Sequence, residues 1–426
     1  MGFAGVILIG ALLLMLPFCA ADGRVTPFPD TLFTATSAVC VTGLVVRDTA
    51  THWSAVGQAL ILLMIQIGGL GVVSVAVSVG LLSGRRISLR QKSALQDSIS
   101  APKVGDVTRL IKFVLRCVLL FELVGALALL PLFCRDYGLR GIWLSVFHAV
   151  SAFCNAGFDL LGSEAARFPS LTGYVHSAHL QIVLILLIVI GGIGFLTWED
   201  VVKYKWRFRR YRLQSKVALI TSALLILLPA VYYFFFEYGA DPLGQRFLNA
   251  LFQAVTPRTA GFNTTDLSAM SPAGRAVMIG LMLIGGSPGS TAGGLKTTTV
   301  AVLVLNAIAA ARRRPSPEIF GRRIDADTVR NAASLICIYL MLFFCAGVFI
   351  SAREGLPMDV CLFETASAVG TVGLTLGLTP QLHLASRIVL MVLMYFGRVG
   401  GLTLIYAATT VDKNVSRLPQ ERITVG

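Results

Sequence analysis

Apolar runs, each long enough to cross about 30 Å of hydrocarbon, recur along the whole chain. They cover residues 3–20, 55–82, 110–133, 180–198, 217–236, 276–311, 332–350 and 388–409. A backbone facing lipid must satisfy its own hydrogen bonds, so such runs predict helices. Eight of them predict an all-α polytopic membrane protein with eight transmembrane helices. The sixth run is interrupted at 284–299 by IGGSPGSTAGGLKTTT, where five glycines, one proline and six hydroxyl residues stand among apolar neighbours.

Between the runs lie four amphipathic stretches too short to span a bilayer. They read FTATSAVCVTGL from Phe33, FHAVSAFCNAGF from Phe147, FQAVTPRTAGF from Phe252 and FETASAVGTVGL from Phe363. Their glycines, Gly43, Gly157, Gly261 and Gly373, are spaced by 114, 104 and 112 residues. Each is followed, 25, 34, 24 and 24 residues on, by a second small-residue motif inside an apolar run: GGLG at Gly68, GGIG at Gly191, GGSPGSTAGG at Gly285 and GRVGG at Gly397. Matching motifs at long regular spacing predict an internal repeat. The unit is a helix, a half-helix with a loop, then a helix, repeated over 1–83, 84–200, 201–314 and 315–426. Four re-entrant loops on one side predict a pore with pseudo-fourfold symmetry, because irregular backbone at membrane depth needs protein or water around it.

Composition agrees: 55% of the residues are hydrophobic and 14% charged, with a mean hydropathy of +0.77. The net charge of +14 would suit a nucleic-acid binder if it were clustered on one surface. Instead it alternates. Basic residues outnumber acidic ones by seven to two in 84–112, seven to two in 199–216 and six to three in 312–330, whereas the segments between are balanced. That is the positive-inside pattern, placing both termini and three basic loops in the cytoplasm. The first run lacks the basic n-region of a secretory signal, so a retained helix is expected. Eight cysteines without CxxC or Cys/His clusters predict reduced packing residues. No catalytic or metal-ligating constellation is visible, so an enzyme is not expected.

A dehydrated cation needs oxygens at close range, and backbone carbonyls supply them without a fixed charge that would trap it. Small residues before a permissive glycine allow this, which makes Cys40, Val41, Thr42 and Gly43, then Cys154, Asn155, Ala156 and Gly157, Arg258, Thr259, Ala260 and Gly261, and Gly370, Thr371, Val372 and Gly373 the candidate filter, with potassium held at their carbonyls. The half-helices would aim their negative C-terminal ends at the ion. The third departs: its glycine follows Phe252 one residue sooner, Pro257 and Arg258 replace small residues, and the half-helix is expected to end earlier. Arg258 is expected to face away from the pore, tied to carbonyls or to Glu364.

The stretch at 284–299 narrowly misses a phosphate loop, because Leu295 separates Gly294 from Lys296 and no strand precedes it. Glycines cost up to about 1 kcal/mol each in a helix and an interior proline about 3, enough to favour an unwound loop. Gly285, Gly286, Ser287, Pro288, Gly289, Ser290, Thr291, Ala292, Gly293 and Gly294 thus form a candidate gate below the filter. GGLG and GGIG are expected to mark close packing or a mild kink. Arg398, alone in an apolar run, is a candidate partner of the gate carbonyls. Lys296 either anchors the loop or snorkels to the cytoplasmic interface, snorkelling being the expectation. Arg116 and Glu122 are expected to be structural and near a helix end.

TSAVCVTGL, IQIGGLG, VTPRTAGFN, GGSPGSTAGGLKTTT and VGTVGLT resemble the signature segments of the Trk/Ktr/HKT superfamily of potassium-uptake subunits, over essentially the whole chain. The short start is similar to the KtrB group rather than to the longer TrkH group. The resemblance implies four repeats around a potassium filter at the four glycines, a homodimer in the bacterial cell membrane, and an intramembrane gating loop. It also implies a cytosolic octameric KtrA-like ring on the basic face, with ATP or ADP on that partner and no cofactor in this chain. Tetrameric potassium channels repeat TVGYG, whereas these loops keep one central glycine, so weaker discrimination against sodium is expected. The competing readings are a TrkH-like transporter or another cation secondary transporter, the latter predicting inverted repeats and intramembrane carboxylates.

Overall fold

The structure, a computed structural model, describes residues 2–71 and 107–400. The ends of the second and eighth apolar runs, most of the first basic segment and the C-terminal segment lie outside the described residues. The first stretch of chain supplies helices α1 (Gly2–Leu14), α2 (Phe28–Val39), α3 (Thr49–His52) and α4 (Ala55–Leu70). The second supplies α5 (Val107–Tyr137), α6 (Arg140–Phe153), α7 (Ala178–Gly192) and α8 (Phe195–Tyr204). The third supplies α9 (Leu213–Phe236), α10 (Leu243–Val255), α11 (Pro272–Leu283) and α12 (Thr297–Ala311). After a two-residue hairpin, β1 (Glu318–Ile319) with β2 (Arg322–Arg323), the fourth supplies α13 (Ala326–Glu354), α14 (Met358–Gly370) and α15 (Leu384–Val399).

Among the described residues, three helices are long and apolar enough to cross a membrane: Arg109–Tyr137, Leu213–Phe236 and Ala326–Glu354. Ala178–Gly192 and Phe195–Tyr204 make a fourth span if the bent pair is taken as one. The other apolar helices are shorter, and the sixth run is split into α11 and α12. The burial pattern is inverted relative to a water-soluble bundle. Leu119, Leu120, Leu123 and Leu127 on α5, Leu227, Leu228 and Val231 on α9, and Met341, Phe344 and Val348 on α13 are exposed, while Ser37, Ser145, Ser151, Thr365 and Ser367 are buried. Such outward apolar faces suit lipid, and the polar groups sit where protein can satisfy them.

The short helices α2, α6, α10 and α14 occupy the centre. Proline occupies the position just before α2, α10 and α14, a residue suited to opening a helix because the first turn needs no N–H partner there. Each short helix packs against a later helix of the preceding stretch: α4 on α6, α7 on α10, α11 on α14, and α15 back on α2. The order therefore closes on itself. Asp30 on α2 joins the two ends of the chain, accepting from Arg47 at 2.8 Å and from Arg387 of α15 at 3.0 Å.

Candidate ion-conducting site

The short helices all end where the small residues begin, but not at the same place. α2 and α6 run to Val39 and Phe153, α14 runs to Gly370, and α10 stops earlier, at Val255, three residues after Phe252. Beyond each end the backbone repeats one conformation. Val41, Asn155, Thr259 and Thr371 are left-handed, with φ of 55, 58, 71 and 52°. Two residues later, Gly43, Gly157, Gly261 and Gly373 have φ of 96, 69, 78 and 96°. Alternating the sign of φ turns successive carbonyls toward the same side, and the second turn requires glycine. The non-glycine turns are held by hydrogen bonds: the N–H groups of Thr42, Ala156 and Val372 donate to the carbonyls of Ser37, Ser151 and Ser367 at 2.8, 2.7 and 2.8 Å. The hydroxyls of Ser37 and Ser367 accept from Gly43 and Gly373, both at 3.0 Å.

The four glycines form a ring. A methyl group on Gly43 would lie 2.5 Å from the carbonyl oxygen of Ala156 and 3.1 Å from Cα of Gly157. One on Gly157 would lie 2.8 Å from the carbonyl oxygen of Ala260 and 3.0 Å from Cα of Gly261. On Gly261 and Gly373 it would overlap the carbonyl oxygens of Val372 and Thr42. The carbonyls of Thr42, Ala156, Ala260 and Val372 thus meet around one small circle. Next to it, a cavity of about 90 Å³ is lined by all four glycines and by Val45, Asp159, Asn263 and Thr375, each two residues beyond its glycine.

Arg258 points away from this ring. Its guanidinium donates to the carbonyl and hydroxyl of Ser222 on α9, at 3.4 and 3.1 Å. Glu364, expected as a partner, is instead occupied by the hydroxyls of Thr375 and Thr379 and by the N–H of Leu376. It fixes the loop after α14 rather than Arg258.

On the other face of the ring, residues 284–296 form a closed excursion. Ile284 and Leu295 pair as a parallel bridge, and Gly285 N–H donates to the Leu295 carbonyl at 2.8 Å. The loop is tied to three other stretches of chain. Ser287 and Thr291 donate to the carbonyls of Gly192 and Gly191, the Thr291 hydroxyl donates to Phe153, and Gly294 N–H donates to Gly397. A methyl on Gly293 would overlap the Thr371 side chain, and one on Gly294 would lie 2.9 Å from the Gly370 carbonyl. The excursion therefore lies directly under the fourth segment of the ring, Gly370 to Gly373. Arg398 reaches across from α15 to donate to the Thr291 carbonyl and to those of Gly68 and Gly69. Lys296 does not snorkel: its ammonium turns back to the Ala292 carbonyl at 2.8 Å and to Gly293 at 3.4 Å. Among the described residues it has no acidic partner in reach, and loop carbonyls complete its shell.

GGIG is more than a mild kink. The α7 and α8 axes differ by 98° across Ile193 and Gly194. α4 and α15 stop at Gly71 and Gly400, and Gly71, Gly194 and Gly400 share φ of 85, 97 and 91°. The expected close packing is also present, through the first glycine of each motif: methyls on Gly68, Gly191 and Gly397 would overlap the carbonyls of Val39, Phe153 and Val369. The short helix ends thus press on the glycines that precede each break. Glu122 lies in the middle of α5, not near its end; it is 7% exposed and, with Gln66, faces the Cys154 thiol. All eight cysteines are free. Among the described residues no group of His, Cys, Asp or Glu is arranged to hold a metal.

Helices with lipid-facing apolar surfaces around a centre of polar loops define a multi-pass membrane protein. The chain belongs to the TrkH family of cation transport proteins, whose sequence profile matches residues 5–417. It is 40% identical to the potassium/sodium uptake protein NtpJ of Enterococcus hirae, across 100% of this chain and 96% of that protein. It is 36% identical to the Ktr system potassium uptake protein B of Bacillus subtilis, across 100% of this chain and 95% of that one. The crystal structure of the potassium transporter TrkH from Vibrio parahaemolyticus shares the fold, with a TM-score of 0.74 at 20% identity, over 96% of this chain and 84% of that chain.

Proposed function

We propose that this chain is the ion-translocating subunit of a Ktr-type uptake system that carries potassium, and sodium with less preference, through a pore enclosed by four linked repeats. The observation that carries this reading is the ring of Gly43, Gly157, Gly261 and Gly373, each beside the carbonyl preceding the next. Those carbonyls replace the ion's water, and the four short helices direct their partial negative charge toward it. The relatives named for potassium and sodium uptake support the choice of ion.

The excursion at 284–296 is the gate. It lies under the ring, and Arg398 holds it to the end of α4 while placing a positive charge in the path below the filter. The basic loops face the cytoplasm by the positive-inside rule, so the gate lies between filter and cytoplasm. A cytosolic KtrA-like octameric ring, carrying ATP or ADP, docks on that face of a homodimer and moves the gate. Uptake needs no fuel in this chain, since 100 mV is worth about 2.3 kcal/mol per charge, roughly fiftyfold accumulation of a monovalent cation.

The test is rescue of a potassium-uptake-deficient bacterium at limiting potassium. The chain with its ring subunit restores growth, and the chain alone restores it less. No rescue by both subunits, with the chain inserted in the membrane, contradicts the transport reading.

A further inference from the structure

The cavity on the far side of the ring from the gate is not fourfold in its chemistry. At the position two residues beyond each glycine it offers an isopropyl group from Val45, a carboxylate from Asp159, an amide from Asn263 and a hydroxyl from Thr375. One other carboxylate lines it, that of Asp48, and its oxygens are already engaged. Oδ1 accepts from Ala50 N–H, Thr51 N–H and the Thr51 hydroxyl, and Oδ2 accepts from Phe168 N–H at 2.9 Å. These bonds cap α3 and hold the loop at 168. Asp159, in the loop between α6 and α7, spends one oxygen on a single hydrogen bond, from Leu161 N–H at 3.1 Å, and is partly exposed to the cavity.

We infer that Asp159 forms an outer binding site for the transported monovalent alkali cation, on the approach to the glycine ring, with the side-chain oxygen of Asn263 as a neutral neighbour. The inference rests on the pore reading above. A single carboxylate in a cavity this small raises the local cation concentration at the mouth. With the Asp48 oxygens taken up by protein donors, one free carboxylate supplies too few oxygens to hold a divalent ion tightly or to trap the monovalent one.

The groups facing Asp159 from the other loops are Asn263 and Thr375, which carry no charge, and behind Thr375 stands Glu364, taken up by its own three donors.

The test is the concentration dependence of rubidium uptake into proteoliposomes holding the chain with its ring subunit. Asp159→Asn keeps the acceptor for Leu161 and removes the charge, while Asp159→Glu keeps the charge. At external pH 8 the Asn variant is expected to raise KM about tenfold with the maximal rate unchanged, and the Glu variant to stay near wild type. Equal KM values for wild type and the Asn variant overturn the site. Gly157→Ala in the same assay separates the two readings. If it alters the rubidium-to-sodium ratio while Asp159→Asn does nothing, the pore stands and the outer site falls. If it alters nothing, the pore reading fails with it.

Discussion

Replacing Gly373 by Ala cuts rubidium flux by at least about tenfold, while the milder Gly157→Ala retains flux and lowers preference for rubidium over sodium. The difference follows from the ring. At Gly373 the new methyl overlaps the Thr42 carbonyl oxygen and lies 2.9 Å from Cα of Gly43, at a φ of 96°. At Gly157 the nearest oxygen is 2.8 Å away and φ is 69°, inside the left-handed well that side chains visit at a cost of about 1–2 kcal/mol. The facing carbonyl must withdraw in both, and further at Gly373. Each 1.4 kcal/mol lost in ion stabilisation at the bottleneck is a factor of ten in rate. Rubidium and sodium fluxes in proteoliposomes, normalised to inserted protein, check both. Wild-type flux and selectivity in the two variants contradict a filter at this ring.

Removing residues 287–292 raises flux and weakens its dependence on the cytosolic ring subunit. The Gly285 hydrogen bond to Leu295 lies at the base of the excursion and is spared by the deletion, so α11 and α12 keep their connection. What goes is the part that touches Gly191, Gly192, Phe153 and Arg398. Arg398→Ala acts in the same direction by releasing three carbonyls on two elements. A hydrogen bond to a charged group is worth about 1.5–3 kcal/mol, so even one lost from the closed state shifts the open fraction by about tenfold to a hundredfold. Flux measured with and without the ring subunit decides. Unchanged flux and unchanged control in both variants rule the gate out.

The ring glycines and the excursion were legible in the sequence because glycine and proline are chosen for backbone reasons that composition displays. The residues two before each glycine were named as filter positions, but their left-handed φ was not visible. Val41, Asn155, Thr259 and Thr371 share no propensity, and hydrogen bonds to the preceding helix turn hold them there. The sharpness of the bend at Gly194 is not legible in the sequence for a related reason. A glycine costs a helix only about 1 kcal/mol, and the pressure of the short-helix carbonyls on Gly68, Gly191 and Gly397 comes from distant sequence. Arg258 and Lys296 turn on the same point: Ser222 lies on another helix, and the carbonyls that hold Lys296 exist only once the loop has unwound. Asp159 left one signal unread, the comparison of Val45, Asp159, Asn263 and Thr375 at matching places in the four stretches.

The most direct test of ion passage through the ring is anomalous scattering from crystals of the complex grown in rubidium. Rubidium is expected on the axis of Gly43, Gly157, Gly261 and Gly373, within coordination distance of the carbonyls of Thr42, Ala156, Ala260 and Val372. Rubidium bound elsewhere in the membrane region, with none at the ring, contradicts the pore.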